Sequence, residues 1–441
     1  MTDLFSARMQ MAVSLGFHII FSCIGMVMPF IMVASHRMWL KTKQPVYYDL
    51  TKAWSKGVAI LFATGAVSGT VLSFELGLLW PTFMKHAGPI FGMPFSLEGT
   101  AFFIEAIAIG FYLYGWNKVD PYIHYLSGWV VGIFGVMSGI FVVAANGWMN
   151  APSGFDWVDG RAINIDPVKA FFNAAWPSQA LHMTIAAFEA VGFAVAGIHA
   201  YFLLKNPQSL LHQKAIRIAI WFAVIAALLQ PISGDISAKD IAHRQPIKLA
   251  AAEAHFETQK YAPLRIGGIP DVETQTVKYD LKIPGALSFL SFGKFDAEVK
   301  GLKDFPRDEW PPVPVVHYSF QLMVACGVIM AGAALLYLIG FFRKKDYLTK
   351  PWFLKLLVFC TPLGFIAVEA GWTVTEVGRQ PWIIYGIMKT KDALTPMPGL
   401  IVPFMAITSL YLFLAFLVSW LMVRQFKAIT KNPYDSTGKG E

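Results

Sequence analysis

Two glutamates seven residues apart, Glu369 and Glu376, stand in the apolar stretch from Val368 to Trp382, with Arg379 following them. On a helix that spacing puts both acids on one face, and Arg379 falls one turn beyond Glu376. Glu98 and Glu105 repeat the arrangement in Phe95 to Glu105, the second acid about 10 Å further along the helix axis. Ionisable groups at membrane depth are costly, and they mark a conduction path, a bound ligand or a pair. The Glu98 and Glu105 stripe fits a proton path; two unrelated polar contacts between helices are the alternative.

Three further residues have the chemistry of metal ligands. His18 lies in Leu15 to Phe21 with no charge within a turn, and alone it reads equally as a ligand or as a polar contact between helices. His182 sits just inside the outer end of the fifth apolar segment, and Met323 lies in the seventh, within Phe320 to Cys326. Methionine in such a segment ordinarily packs, but a His/Met pair is one that haem iron uses. At ~1.5 Å per residue the two depths agree within one haem width, so bis-axial ligation is geometrically permitted. Arg379 either pairs with Glu376 or a haem propionate, or anchors the interface beside Trp382. Gly378 and Pro381 are expected to end the helix there. Glu75 and Glu189 are further acids in apolar segments without an assignable role, Glu75 being expected near the outer surface.

The elements that must carry these side chains follow from composition. The chain of 441 residues is 56% hydrophobic and 15% charged, with mean hydropathy +0.51, which marks a polytopic membrane protein. Apolar runs near 12–34, 54–80, 94–116, 123–146, 180–204, 216–233, 313–342, 353–376 and 398–424 are each long enough to cross about 30 Å of hydrocarbon. The expected fold is all-α with nine transmembrane helices. Lys and Arg gather after the first, fifth, seventh and ninth runs, Lys431 among them. The N-terminus is therefore expected outside and the C-terminus inside. The first residues lack the pattern of a removable signal peptide.

The pI near 9.2 reflects those cytoplasmic loops and anionic lipid rather than nucleic acid, which is not expected as a partner. Cys23, Cys326 and Cys360 all fall inside apolar segments without a C-x-x-C-H motif, so any haem is held without thioether links. The organisation reads as helices one to six over 1–233, a long outer loop over 234–312, and helices seven to nine with a cytoplasmic tail over 313–441. A structured loop of that length is usually functional.

With Glu98 and Glu105, His182, Met323 and Gly378-Arg-Gln-Pro-Trp382 in this order, the chain resembles subunit I of the cytochrome bd-type quinol oxidases over essentially its whole length. Ser96 to Glu105, Val143 to Met149 and Met323 to Gly327 carry the likeness further. The resemblance implies His182 and Met323 as axial ligands of a low-spin haem b. It implies His18 and Glu376 as ligands of two high-spin haems, one b-type and the other haem d or a third haem b, without deciding which residue serves which. Glu98 would lie at the oxygen-reducing haem and Glu105 on the proton route from the cytoplasm. Trp372 would lie beside the haems, and Arg379 would hold them. Lys248 and Glu253, in Lys-Leu-Ala-Ala-Ala-Glu of the outer loop, match residues implicated in quinol oxidation.

Gln321 stands where some members carry arginine, a change expected to alter the low-spin haem's electrostatics. The outer loop lacks the long insertion of one subfamily, which points to the short-loop branch; a related branch is described as cyanide-insensitive. The implied protein is a multi-pass quinol:oxygen oxidoreductase of the bacterial cytoplasmic membrane. It would work with a second membrane subunit and, in some members, a small single-helix one. Its protons would be released outside and taken up inside, so that a potential builds without a pump. The rival readings are a di-haem quinone dehydrogenase subunit and a carboxylate-dependent secondary transporter. A haem-copper oxidase would need more intramembrane histidines than His18, His182 and His199.

Overall fold

The protein, seen as a computed structural model, is described over residues 2–430; the cytoplasmic tail expected beyond the ninth helix, with Lys431, lies outside them. Among the described residues nine helices are long and apolar enough to cross a membrane. The first four are α1 (Asp3–Thr42), α2 (Pro45–Leu79), α3 (Pro81–Tyr114) and α4 (Pro121–Asn150). A hairpin of β1 (Asp156–Val158) and β2 (Arg161–Ile163) and the short α5 (Pro167–Phe171) lead to α6 (Trp176–Lys205) and α7 (Leu210–Arg244).

Most of these helices overrun the apolar runs that signal them. At 40 residues, α1 is roughly 60 Å long, about twice the thickness of the hydrocarbon. Hydropathy marks the apolar middle, whereas capping chemistry decides where the helix stops: Asp120 accepts from Tyr122 N (2.8 Å) and Ile123 N (3.1 Å) to start α4. The sixth span likewise continues past residue 233 to Arg244, so the outer loop begins eleven residues later than expected.

That loop holds α8 (Pro246–Ala252), β3 (Gln259–Lys260), β4 (Leu264–Asp271), β5 (Thr276–Ile283), α9 (Ala286–Phe292) and β6 (Glu298–Val299). Strands β4 and β5 pair antiparallel from Leu264↔Ile283 to Asp271↔Thr276, and β3 pairs with β6. At the tip of the longer hairpin Asp271 Oδ1 accepts from Glu273 N and Thr274 N, both at 3.1 Å. The chain returns through α10 (Val313–Phe342), α11 (Pro351–Cys360), α12 (Leu363–Val377), the small hairpin β7 (Trp382–Ile384) with β8 (Met388–Lys389), and α13 (Ile401–Thr430). The eighth span is thus two helices, broken at Thr361 and Pro362.

Small residues set how closely the helices approach, as membrane packing requires. A Cβ at Gly364 of α12 would come within 2.3 Å of Ala190 Cα of α6, and one at Gly192 within 2.6 Å of Ala223 N of α7. The long loop before α10 is tied to that helix through its backbone. Gln321 Nε2 donates to Arg265 O (2.9 Å) while its Oε1 accepts from Gly267 N (3.1 Å), and His317 bonds Ala252 O (2.8 Å) and Gly267 O (3.2 Å). Gln321 therefore spends its amide on clamping β4.

Candidate functional site

A cavity of about 730 Å³ lies among α1, α2, α3, α4 and α12, and it gathers six of the candidate residues: His18, Glu98, Glu105, Trp372, Glu376 and Arg379. His18 is fixed from two sides, its Nδ1 3.0 Å from Ser68 Oγ of α2 and its Nε2 3.0 Å from Ser22 Oγ one turn on. Gly69 makes room for the ring, since a Cβ there would stand 2.9 Å from His18 Cε1. On α3, Glu98 Oε1 accepts from Ser138 Oγ of α4 (3.1 Å). Glu105 reaches between α1 and α4, where a Cβ at Gly135 would stand 3.1 Å from its Oε1. The heptad spacing does put both acids on one wall.

At the end of α12, Arg379 Nη2 donates to Glu376 Oε2 at 2.5 Å, and Asn146 of α4 donates to Glu376 Oε1. The guanidinium is 2% exposed. Its Nε and Nη1 have no partner in the chain, and a buried charged donor left so is expensive. Trp372 Nε1 donates to Met183 Sδ at 3.2 Å, holding the indole at the cavity edge. These walls fit a haem: an imidazole and a carboxylate suit iron, the surrounding surface is mostly apolar, and two spare guanidinium donors suit a propionate.

Glu369 parts company with Glu376. Its Oε2 lies where a Cβ at Gly16 of α1 would meet it at 3.1 Å, its Oε1 has no partner, and it does not line the cavity. The shared stripe therefore serves two places. Glu75 Oε1 accepts from Gln10 Nε2 of α1 at 2.8 Å.

His182 of α6 and Met323 of α10 do not line that cavity. His182 Nδ1 lies 3.1 Å from Ser233 Oγ of α7, with Gln230 Nε2 3.3 Å from its Nε2. Met323 Sδ packs where a Cβ at Gly371 of α12 would stand 3.0 Å away. The two side chains are on different neighbours, and no bond joins them.

On the loop side Lys248 and Glu253 are each 2% exposed, one on α8 and one directly after it. Lys248 Nζ donates to Asn150 Oδ1 at 2.5 Å. Burial pushes its amine down to about 7; the Arg379 charge adds to that fall and Glu376 opposes it. Burial pushes the Glu253 carboxyl up to about 8, against the Arg265 backbone N–H and the Arg265 charge, and Glu253 Oε2 has no partner. An amine and an acid, both poised near neutrality and shielded from water, suit hydrogen bonding to and proton removal from a neutral hydroxyl.

Residues that the sequence reading passed over also meet the site. Arg8 lines the cavity, and Asn146 and Asn150, one helical turn apart, connect it to Lys248. The asparagines' i,i+4 spacing at the end of an apolar run was the available signal.

The sequence profile described as cytochrome bd terminal oxidase subunit I matches residues 6–430. Among solved structures, a chain of the bd oxidase from Geobacillus thermodenitrificans is 37% identical with a TM-score of 0.92, covering 97% of this chain and 99% of its own. The cytochrome bd ubiquinol oxidase subunit 1 of Bacillus subtilis (strain 168) is 31% identical over 444 residues, 97% of this chain and 94% of that one. A second chain of that organism, provisionally named a cytochrome bd menaquinol oxidase subunit I, is 34% identical over 439 residues, 99% of this chain and 98% of its own.

Proposed function

Because this chain belongs to the cytochrome bd terminal oxidase subunit I family, we propose that it is the haem-bearing subunit through which a respiratory oxidase takes electrons from a membrane quinol and delivers them to O2. The observation that carries the reading is the convergence of His18, Glu98, Glu105, Glu376 and Arg379 on one cavity, with buried Lys248 joined to its rim through Asn150. The rival transporter reading leaves those ligand types and the spare donors of Arg379 without a purpose.

In this reading His182 and Met323 hold the low-spin haem b, and His18 and Glu376 hold the two high-spin haems, one of b type and one haem d or a third haem b. Bound there, the haems supply electron transfer and the reduction of O2 to water. The chain's own part is in ligands and protons. Glu253 takes a proton from the quinol hydroxyl, and Lys248 donates a hydrogen bond to the quinol oxygen. Glu105 passes protons arriving from the cytoplasm to Glu98 at the cavity wall. Arg379 balances Glu376 and the acidic groups beside it, and Trp372 fills the edge.

With the N-terminus outside, as the basic loops indicate, the 245–312 segment is extracytoplasmic and the two proton exchanges fall on opposite sides of the bacterial cytoplasmic membrane. A proton motive force then arises without pumping. A second membrane subunit completes the enzyme, joined in some assemblies by a single-helix peptide. The test is a reduced-minus-oxidised spectrum of the purified complex, with haem extraction, alongside quinol-dependent oxygen consumption. Haem bands with oxygen uptake are expected. Absence of bands overturns the oxidase reading, and bands without oxygen uptake favour a di-haem quinone dehydrogenase subunit.

A further inference from the structure

A continuous set of hydrogen bonds runs from the loop lysine to the cavity carboxylate through the last turn of α4. Lys248 Nζ donates to Asn150 Oδ1 (2.5 Å), Asn150 Nδ2 donates to Asn146 Oδ1 (3.0 Å), Asn146 Nδ2 donates to Glu376 Oε1, and Arg379 closes the set on Glu376 Oε2 (2.5 Å). Every donor in it points the same way, from cation to anion. The amide orientations are dictated by the ends, because an ammonium only donates and a carboxylate only accepts. Aligned bonds of this kind polarise one another in a low-dielectric setting.

Capping alone does not require this arrangement. A residue closing a helix needs one bond to the preceding turn, which Asn150 makes from Nδ2 to Asn146 O at 2.9 Å. Asn150 goes further: its Oδ1 takes the lysine, and its main-chain oxygen accepts from Gln245 Nε2 at 3.1 Å, just before α8 begins. Both residues of the pair are buried, Asn150 at 3% exposure and Asn146 at 8%. On its other side the lysine stem lies against Gly378, where a Cβ would come within 3.0 Å of Lys248 Cγ. Four methylenes of a mobile side chain are thus held between a glycine and an amide, with the ammonium fixed at one point.

We infer that Asn150 is a positioning residue for quinol oxidation, holding Lys248 where it meets the quinol oxygen and, through Asn146, tying the loop to Glu376. The inference rests on the quinol role given to Lys248 above. It assigns to the end of α4 a part in substrate recognition.

The experiment is a double-mutant cycle in the purified oxidase complex with Asn150→Ala, Lys248→Met and the pair, following quinol KM and kcat together with equilibrium binding of a non-oxidisable quinone analogue. Asn150→Ala is expected to weaken analogue binding and raise KM about tenfold, the order of one hydrogen bond to a charged group, with haem content and spectrum unchanged. The double variant should match Lys248→Met alone, because Asn150 acts through the lysine. Asn150→Ser keeps a hydroxyl for the helix end but cannot reach Nζ, so it separates folding from positioning and should share the raised KM. Additive effects in the pair, or wild-type KM in Asn150→Ser beside a raised KM in Lys248→Met, overturn the inference alone. Unchanged KM and analogue binding in Lys248→Met overturn the quinol role of the lysine and this inference with it.

Discussion

Replacing Glu253 by glutamine tests the quinol side of the mechanism most directly. Burial pushes its carboxyl from the ordinary 4.5 up to about 8, the Arg265 backbone N–H and charge pulling the other way. A raised value means that the group is protonated below that pH and ionised above it. Acting as a base it must be ionised, so about one molecule in eleven is competent at pH 7, about half at pH 8 and about ten in eleven at pH 9. The wild-type kcat/KM for quinol should therefore climb about fivefold from pH 7 to pH 8 and about tenfold by pH 9. Glu253→Gln should lower kcat/KM by about 10²-fold at pH 8, the usual scale for a lost general base, and should flatten the profile.

The same shift carries a stability signature. The folded chain holds this proton more tightly than the unfolded one, so the group's contribution is fully present below about 4.5 and is lost as pH rises through about 8. Glu253→Gln should thus denature less readily than wild type at pH 9 and no more readily at pH 6. The assay is oxygen uptake by the purified complex over pH 6 to 9 at varied quinol, with thermal denaturation followed on the same samples. If the variant keeps the wild-type rise with the same midpoint, another group is the base and the argument from burial fails.

Three other outcomes are expected. Gly371→Ala places a methyl 3.0 Å from Met323 Sδ and should shift the low-spin haem spectrum and potential, as Met323→Leu should abolish that spectrum while sparing the high-spin bands; a low-spin spectrum unchanged in both variants would exclude Met323 as its ligand. Glu105→Gln should slow oxygen reduction at saturating quinol by about 10²-fold without altering quinol KM, measured by stopped-flow reoxidation; a normal rate would remove Glu105 from the proton route. Gln321→Ala cuts both bonds to β4 and should raise quinol KM several-fold and speed limited proteolysis of the loop, which an unchanged digestion pattern would contradict.

Nine spans and their order were legible because hydropathy over some twenty residues is a strong signal. Helix ends were not, since Thr2, Asp120 and Ser209 act through one or two capping bonds each, which apolar averaging ignores. The heptad spacing foresaw one wall for Glu98 and Glu105, and it keeps Glu369 and Glu376 on one face of α12, yet only Glu376 lines the cavity. In the second pair the neighbours differ, with Gly16 of α1 facing one acid and Asn146 of α4 facing the other. Periodicity fixes a direction around one helix and says nothing of what stands opposite. Gln321 shows the same limit: its place two residues before Met323 gave no sign that the side chain clamps the loop strand that packs on α10. Asn150 went unnoticed because its importance depends on Lys248, 98 positions away.

The turn between β4 and β5 has a practical side. Residues around Arg265 and Gly267 are bolted to α10 through Gln321 and His317, and Val272 and Val277 pack beside α8 while Arg307 Nη2 donates to Val272 O at 3.0 Å, whereas Glu273 and Thr274 at the turn itself are exposed, under the Asp271 cap. Gln275, with φ of 55°, already carries mild backbone strain that a longer connection would relieve. A peptide tag or a dye inserted between Thr274 and Gln275 would enter beside exposed residues rather than at the buried Lys248 or Glu253. The enzyme can then be captured, oriented on an electrode or followed by fluorescence from that one point.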